Sequence, residues 1–297
     1  LYSPPNQVFA WAATGNEKTA TDAVLGAHAA LYERNHVVDL VHPSEIGAGV
    51  LDRYRVLVCP FPYWLSAAIA EKLRAWVEAG GTLIGEGYFA GWDVEEGRHH
   101  TTVPGYGLHE VFGVRQKNAV PPGADGRVEI IAGPGLAHLA EGERVYGMLA
   151  QETFFVEGAE VLATYADSEA AVTRHRFGRG QGILVGSYVA CPYRRQSHEA
   201  NGALLASLVE LADLSARPAV EGGRVRVDVL ATEAGERMVI LQNLETQPVE
   251  VVVTVPVPLE REAEDQFGKG TLAWTRGEDG ASASVRLDPR EVRVYRV

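Results

Sequence analysis

Apolar and polar positions follow two rhythms between residues 7 and 89. QVFAWAA, residues 7–13, is a compact apolar run and predicts a short strand. In TATDAVLGAHAALYERN the residues Ala23, Ala27, Ala30 and Leu31 recur at helical spacing. HVVDLVHP, residues 36–43, returns to strand character. YRVLVCPFPYW is nearly continuous in apolar residues, as expected of a strand covered on both faces. SAAIAEKLRAWVEAGG opens on a Ser N-cap, aligns Ile69, Leu73, Trp76 and Val77, and stops at Gly80. TLIGEG is the next strand. Strand, helix, strand, helix, strand predicts a parallel sheet with right-handed crossovers.

The middle of the chain is less regular. GLHEVFG predicts a short helix, and RVEIIAG and EVLATYA predict strands. AAVTRHRFGRGQGILVGSY predicts a hairpin turning over Gly178 to Gly182. Its glycines join two strand-like segments, whereas a phosphate cradle opens directly into a helix. HEANGALLASLVELADL predicts a closing helix. After a linker near residues 213–223 the pattern becomes one of short alternating strands: RVRVDVLA, RMVILQNL, VEVVVTVPV, TLAWTRG, SASVRL and EVRVYRV. The residues therefore predict an α/β domain over 1–215 and a small antiparallel β-sandwich over 224–297.

Composition narrows the partners. With 46% hydrophobic residues in 297, the chain can bury a substantial core. A formal net charge of −12 argues against nucleic acid or an anionic membrane as partner. No apolar run reaches membrane-spanning length, and no signal peptide is visible. Cys59 and Cys191 show no paired spacing, which fits a reducing, cytoplasmic setting.

Candidate chemistry is sparse. Cys59 ends a buried strand, as a hydrolase nucleophile would, but Pro60 removes a backbone N–H that an oxyanion hole would use. A buried structural thiol is the expectation. The nine histidines lack ligand spacing, so neither a metal nor a cofactor is expected. The segment GYFAGWDVEEG sets Tyr88, Phe89 and Trp92 beside Asp93, Glu95 and Glu96 at the carboxyl end of a strand. Aromatic rings next to carboxylates suit a sugar or a subunit interface. Three acids in four residues more commonly serve solvation than catalysis. Tyr88, Phe89, Trp92, Asp93 and Glu95 are therefore candidates for substrate proximity or for an interface, with no catalytic residue assigned.

The string LDRYRVLVCPFPYWLSAAIAEKLRAWVEAGGTLIGEGYFAGWDVEEG, followed by VPGYGLHEVFGV, resembles the β-galactosidase trimerisation domain of family 42 glycoside hydrolases. The apolar strand ending in Pro, the V-x-x-G-G-T step, the loop Gly91-Trp92-Asp93-Val94-Glu95 and the G-L-x-x-V-F-G-V helix carry that resemblance. GAEVLATYADSEAAVTRHRFGRGQGILVGS is similar to the second half of the same domain. The tail from Arg224 to Val297 looks like the family's small C-terminal β domain.

The resemblance implies a class I glutamine amidotransferase-like, flavodoxin-like parallel sheet that has lost amidotransferase chemistry. LIGEGYFAG carries no cysteine where a nucleophile would stand. It also implies that the two catalytic glutamates of a retaining β-galactosidase sit on a (β/α)8 barrel of about 250 residues, for which this sequence has no room. The chain alone is then expected to be inactive. Its expected partners are two further copies in a homo-trimer, or the barrel of the same enzyme, with a galactoside-type carbohydrate nearby. The alternatives left open are a stand-alone carbohydrate-binding protein and an amidotransferase-like hydrolase.

Overall fold

In the computed structural model the described residues are 1, 3–231, 237–259, 262–278 and 280–297. They fall into two compact units: Leu1–Ala30 with Asp39–Leu214, and Leu31–Val38 with Ser215–Val297. No helix among the described residues is long and apolar enough to cross a membrane.

The first unit is built on a seven-stranded mixed sheet. Its spatial order is Val56–Cys59, Thr82–Gly85, Gly180–Val185, Ala170–Phe177, Glu160–Tyr165, Val128–Ala132 and Arg144–Gly147. Only the first three strands run parallel, with Val56 opposite Thr82 and Thr82 opposite Gln181. The remaining pairings are antiparallel. Between the first two strands lies the helix Ala67–Glu78, which buries Ala70, Leu73 and Val77. The Ser66 hydroxyl accepts the Ile69 N–H at 3.4 Å and so caps it. Trp76 anchors the last turn by donating its indole N–H to the Leu51 carbonyl at 3.0 Å.

Four expectations from the sequence change. Residues 7–13 are not a strand but belong to the helix Pro4–Thr14. Two prolines occupy its first turn, where a missing N–H costs nothing, and Gly15 closes it in a left-handed conformation. Residues 36–43 form no strand either: Val37 and Leu40 are exposed, and residues 36–38 group with the second unit. The parallel portion of the sheet is correspondingly smaller than the alternation predicts. The strand Val56–Cys59 is only half covered, because it is an edge strand that buries Leu57 and Cys59 while Val56 and Val58 stay partly exposed. Finally, the hairpin turn is confined to Gly178 and Arg179, since Gly180 already pairs with Phe177.

In the second unit, alternation along the chain translates directly into packing. Ala219–Glu221, Val249–Val255, Ala281–Leu287 and Thr275–Arg276 form one antiparallel sheet; Val225–Ala231, Arg237–Asn243 and Val292–Arg296 form another. Val249, Val251, Val253 and Val255 from the first meet Val225, Val227, Val239 and Leu241 from the second in a single apolar core. Residues 31–38 finish one sheet edge through side chains. Asn35 donates its amide to the Val225 carbonyl at 3.2 Å and accepts the Val227 N–H at 2.8 Å. Arg226, 4% exposed, donates to the carbonyls of Tyr32 and His36 at 2.9 and 2.8 Å, with its guanidinium 4.2 Å over the Tyr32 ring. Asparagine and arginine thus perform the backbone pairing that a strand would otherwise supply.

Candidate functional site

Loops leaving the carboxyl ends of neighbouring parallel strands must meet, and here the loop after Cys59 runs beside the loop after Gly85. The Ala90 N–H donates to the Pro62 carbonyl at 2.8 Å, and the Trp92 N–H donates to the Tyr63 carbonyl at 3.1 Å. The helix Pro4–Thr14 closes over them: the Asn6 side chain accepts the Trp64 N–H at 2.6 Å and donates back to the Trp64 carbonyl at 3.3 Å. Ring centroids of Phe9 and Tyr63 are 5.1 Å apart, and those of Phe9 and Trp92 5.3 Å. His99 lies stacked on Tyr63 at 5.9 Å, with the phenol oxygen 3.2 Å from His99 Nδ1, and Tyr88 meets His99 edge-on at 6.0 Å. Tyr63, Tyr88, Trp92 and His99 form a half-exposed aromatic face.

The acidic candidates lie on the far side of the same loop. Asp93 Oδ1 accepts the N–H groups of Glu95 and Glu96, each at 3.1 Å, so its first task is to shape the turn. Those donors, Glu96 first, hold the Asp93 carboxyl below its ordinary range. The Tyr106 hydroxyl donates to Glu95 Oε2 at 2.6 Å and accepts the Val94 N–H at 2.8 Å. Burial, followed by the Glu95 hydrogen bond, raises the Tyr106 phenol well above its usual value. His100 stands 3.7 Å from Asp93 Oδ2 and edge-on to Tyr106 at 4.4 Å. His99 and His100 therefore face opposite neighbours, as adjacent residues in extended chain do.

Of the sequence candidates, Tyr88 and Trp92 share the aromatic face, while Asp93 and Glu95 share the Tyr106 network. Phe89 does neither. Its side chain is fully buried against Phe112, with ring centroids 4.8 Å apart, so it supports the loop from below and offers no surface to a ligand. The residues not singled out in the sequence are Phe9, Tyr63, Tyr106, Glu86 and Glu152, and His99 is read there only as one of the histidines without ligand spacing. For Tyr63 and Glu86 a signal existed, because both sit just past the ends of adjacent strands, where α/β sheets place their sites. Phe9 and Glu152 reach the loop only through tertiary folding.

Glu86 and Glu152 are buried carboxyls with no cation beside them among the described residues. Glu86 Oε1 accepts the N–H groups of Val189 and Ala190 at 2.8 Å each, and Oε2 accepts that of Phe61 at 3.3 Å. Glu152 Oε2 accepts the Tyr88 N–H at 2.8 Å, and Oε1 takes the Gln116 amide at 2.8 Å. Burial pushes both carboxyls from 4.5 to about 7, against the pull of these donors. Around them the backbone is held in left-handed conformations at Phe61, Tyr88 and Ala90, with φ of 52°, 54° and 48°. Left-handed backbone at bulky residues is costly and persists only where the surroundings fix it.

This end of the sheet is filled rather than open. Phe61 stacks on Tyr188 with centroids 4.8 Å apart, and Ala10, Ala20, Ala23 and Cys191 pack against them. Cys59 is 1% exposed, and burial raises its thiol to about 11. It cannot serve as a thiolate nucleophile near neutrality. Accordingly, a charged disulfide reagent at pH 7.5 should leave Cys59 and Cys191 unmodified in the native chain and titrate both after denaturation. Among the described residues, no cluster of three or more His, Cys, Asp or Glu side chains is placed to hold a metal ion.

Comparison with known proteins identifies the first unit. Residues 4–215 match the model of the β-galactosidase trimerisation domain. The chain is 27% identical over 274 residues to β-galactosidase LacZ of Heyndrickxia coagulans, which takes in 90% of this chain and 35% of that protein. It is 34% identical over 164 residues to β-galactosidase BgaB of a Geobacillus strain, covering 53% of this chain and 22% of that one. In fold it is similar to the β-galactosidase from Bacillus circulans sp. alkalophilus, with a TM-score of 0.72, 20% identity, and coverage of 93% of this chain and 37% of that one. The chain thus spans about a third of the length of relatives that it matches along most of its own. A match reaching across residues 4–215 places the chain in the β-galactosidase trimerisation-domain family.

Proposed function

We propose that this chain is the assembly and accessory region of a β-galactosidase-like glycoside hydrolase, organised as a homo-trimer and acting in the cytoplasm. The 1–215 domain drives association, and the 224–297 domain is a β-sandwich appended to it. In this reading the first domain descends from a class I glutamine amidotransferase-like fold whose strand-end crevice is now filled by Phe61 and Tyr188. The aromatic face of Tyr63, Tyr88, Trp92 and His99 attends a galactoside-type site formed by a barrel outside this sequence. The observation that carries the proposal is the family match over residues 4–215.

The chemistry of the site supports an attending role. Retaining hydrolysis needs two carboxyls about 5 Å apart, one of them kept protonated as the general acid. Asp93 and Glu95 share the Tyr106 hydroxyl, yet Asp93 is held low and spends one oxygen on the loop's backbone. The carboxyls that are pushed up, Glu86 and Glu152, are sealed beneath the loop. Neither pair can protonate a leaving group while its partner faces the sugar. The purified chain should therefore show no turnover of a chromogenic β-galactoside above the buffer rate. Turnover abolished by Asp93→Asn or Glu95→Gln would overturn this reading.

A further inference from the structure

Three copies of one chain cannot close through a patch that pairs with itself, because such a contact carries a two-fold axis and stops at a dimer. A three-fold ring needs two different patches on each copy, each complementary to the other. The first unit, which carries the family match, exposes two separate groups of large apolar side chains.

One group is on the helix Pro4–Thr14. That helix buries Asn6 and Ala10 and packs Phe9 on Tyr63, so Val8 and Trp11, three positions apart, face outward and are 63% and 59% exposed. Gly15 ends the helix in a left-handed conformation, and residues 15–18 line an open hollow of about 430 Å³ together with Trp11. Two of them, Glu17 and Lys18, have no salt-bridge partner among the described residues.

The other group is Phe155, Val156 and Val161, at the facing ends of the strands Gln151–Val156 and Glu160–Tyr165. Register fixes its level. A Cβ on the intervening Gly158 would touch the His175 ring at 3.5 Å; His175 pairs with Gly182, and Gly182 with Leu83, in the amino half of the strand Thr82–Gly85. The helix Pro4–Thr14 instead covers the loops that leave the carboxyl ends of the parallel strands. The two groups therefore lie toward opposite ends of those strands and do not merge into one patch.

Charge fits one group to the other. Arg115, with its guanidinium carbon 5.8 Å from the centre of the Phe155 ring, pairs with Glu157, and Arg174 pairs with Glu160 beside Val161. Acids and bases thus balance at both groups in a chain of net charge −12, so copies meeting there add nothing to their mutual repulsion. Lys18 is free to face Glu157 or Glu160 of another copy, and Glu17 to face Arg115.

We infer that the chain closes its ring heterologously, with Phe155, Val156 and Val161 of one copy seated in the Trp11 hollow of the next; this rests on the homo-trimer proposed above. Trp11 and Phe155 are the anchors, since large aromatic side chains near the centre of an interface carry much of its binding energy.

Sedimentation equilibrium of the full chain and of two variants, Trp11→Lys and Phe155→Lys, tests the inference. Lysine reduces the net negative charge, so a loss of assembly cannot come from added repulsion. Both side chains are more than half exposed, and both variants should keep the circular dichroism of the wild type. Where the wild type sediments at three chain masses, each variant alone should sediment at one, because every copy lacks the same half of the contact. An equimolar mixture should form a species of two chain masses and stop there: the intact patch of each variant meets the intact patch of the other, and the altered patches end the assembly. A variant that trimerises or dimerises alone, or a mixture that stays monomeric or reaches three chain masses, would overturn the inference while the homo-trimer stands. A monomeric wild type would remove the homo-trimer, and the inference with it. Should a lysine variant lose its native dichroism, Trp11→Ala or Phe155→Ala takes its place with the same expected masses.

Discussion

Phe89→Ala should cost about 3–5 kcal/mol of stability, the largest loss expected from any single change in the candidate loop. The ring is fully buried and lies edge-on to Phe112, in a cluster that also holds Leu108, Val111, Leu83 and Leu184. It also rests on the strand that precedes it: a Cβ placed on Gly85 would meet the Phe89 ring at 2.2 Å. Gly85 is thus the only residue type that lets the ring sit directly on the backbone of the sheet. Truncation to Ala removes the apolar area and leaves a void that neighbouring strands are too rigid to close. Urea unfolding should show the loss as a lower midpoint with an unchanged slope. Phe89→Leu, which keeps most of the volume, should cost less than half as much. A Phe89→Ala loss under about 1 kcal/mol would mean that Phe89 is not the foundation of the loop.

The contrast between Phe89 and its neighbours shows what sequence reading could reach. Tyr88, Phe89 and Trp92 look equivalent as aromatic residues in one loop, but the left-handed backbone at Tyr88 and Ala90 turns them to different sides. Nothing in a one-dimensional pattern announces that turn at residues other than glycine. The second unit was legible because alternation with period two, as in VEVVVTV, has a single reading when one face is buried. QVFAWAA misleads because a short apolar run fits strand and helix equally well. The prolines at 4 and 5 and the glycine at 15 are the markers of a helix there. HVVDLVHP misleads for another reason: its valines favour a strand, but Val37 and Leu40 are exposed, and Asn35 and Arg226 meet the bonding needs of the sheet edge through side chains. The aromatic face and the two buried acids were the least legible. Phe9 and Trp92 are 83 residues apart and Tyr88 and Glu152 are 64 apart, and only the closed fold brings them together.

Self-association should be as marked in its effect on the chain as the loss of Phe89. A stable trimer must cover roughly 800 Å² or more on each contacting face, with an apolar centre. The described surface of the first unit exposes Val8 and Trp11 one helical turn apart, and Phe155, Val156 and Val161 at the facing ends of two successive strands, Gln151–Val156 and Glu160–Tyr165, that belong to different sheets. Large apolar side chains left open in such groups are the material from which interfaces are made. The net charge of −12 opposes association at low salt, so the trimer should strengthen as ionic strength rises. Sedimentation equilibrium of the purified chain at micromolar concentration and 0.15 M salt tests the assembly role most directly. A single species of three times the chain's mass is expected; a monomer that persists as concentration and salt are raised would rule out the assembly role.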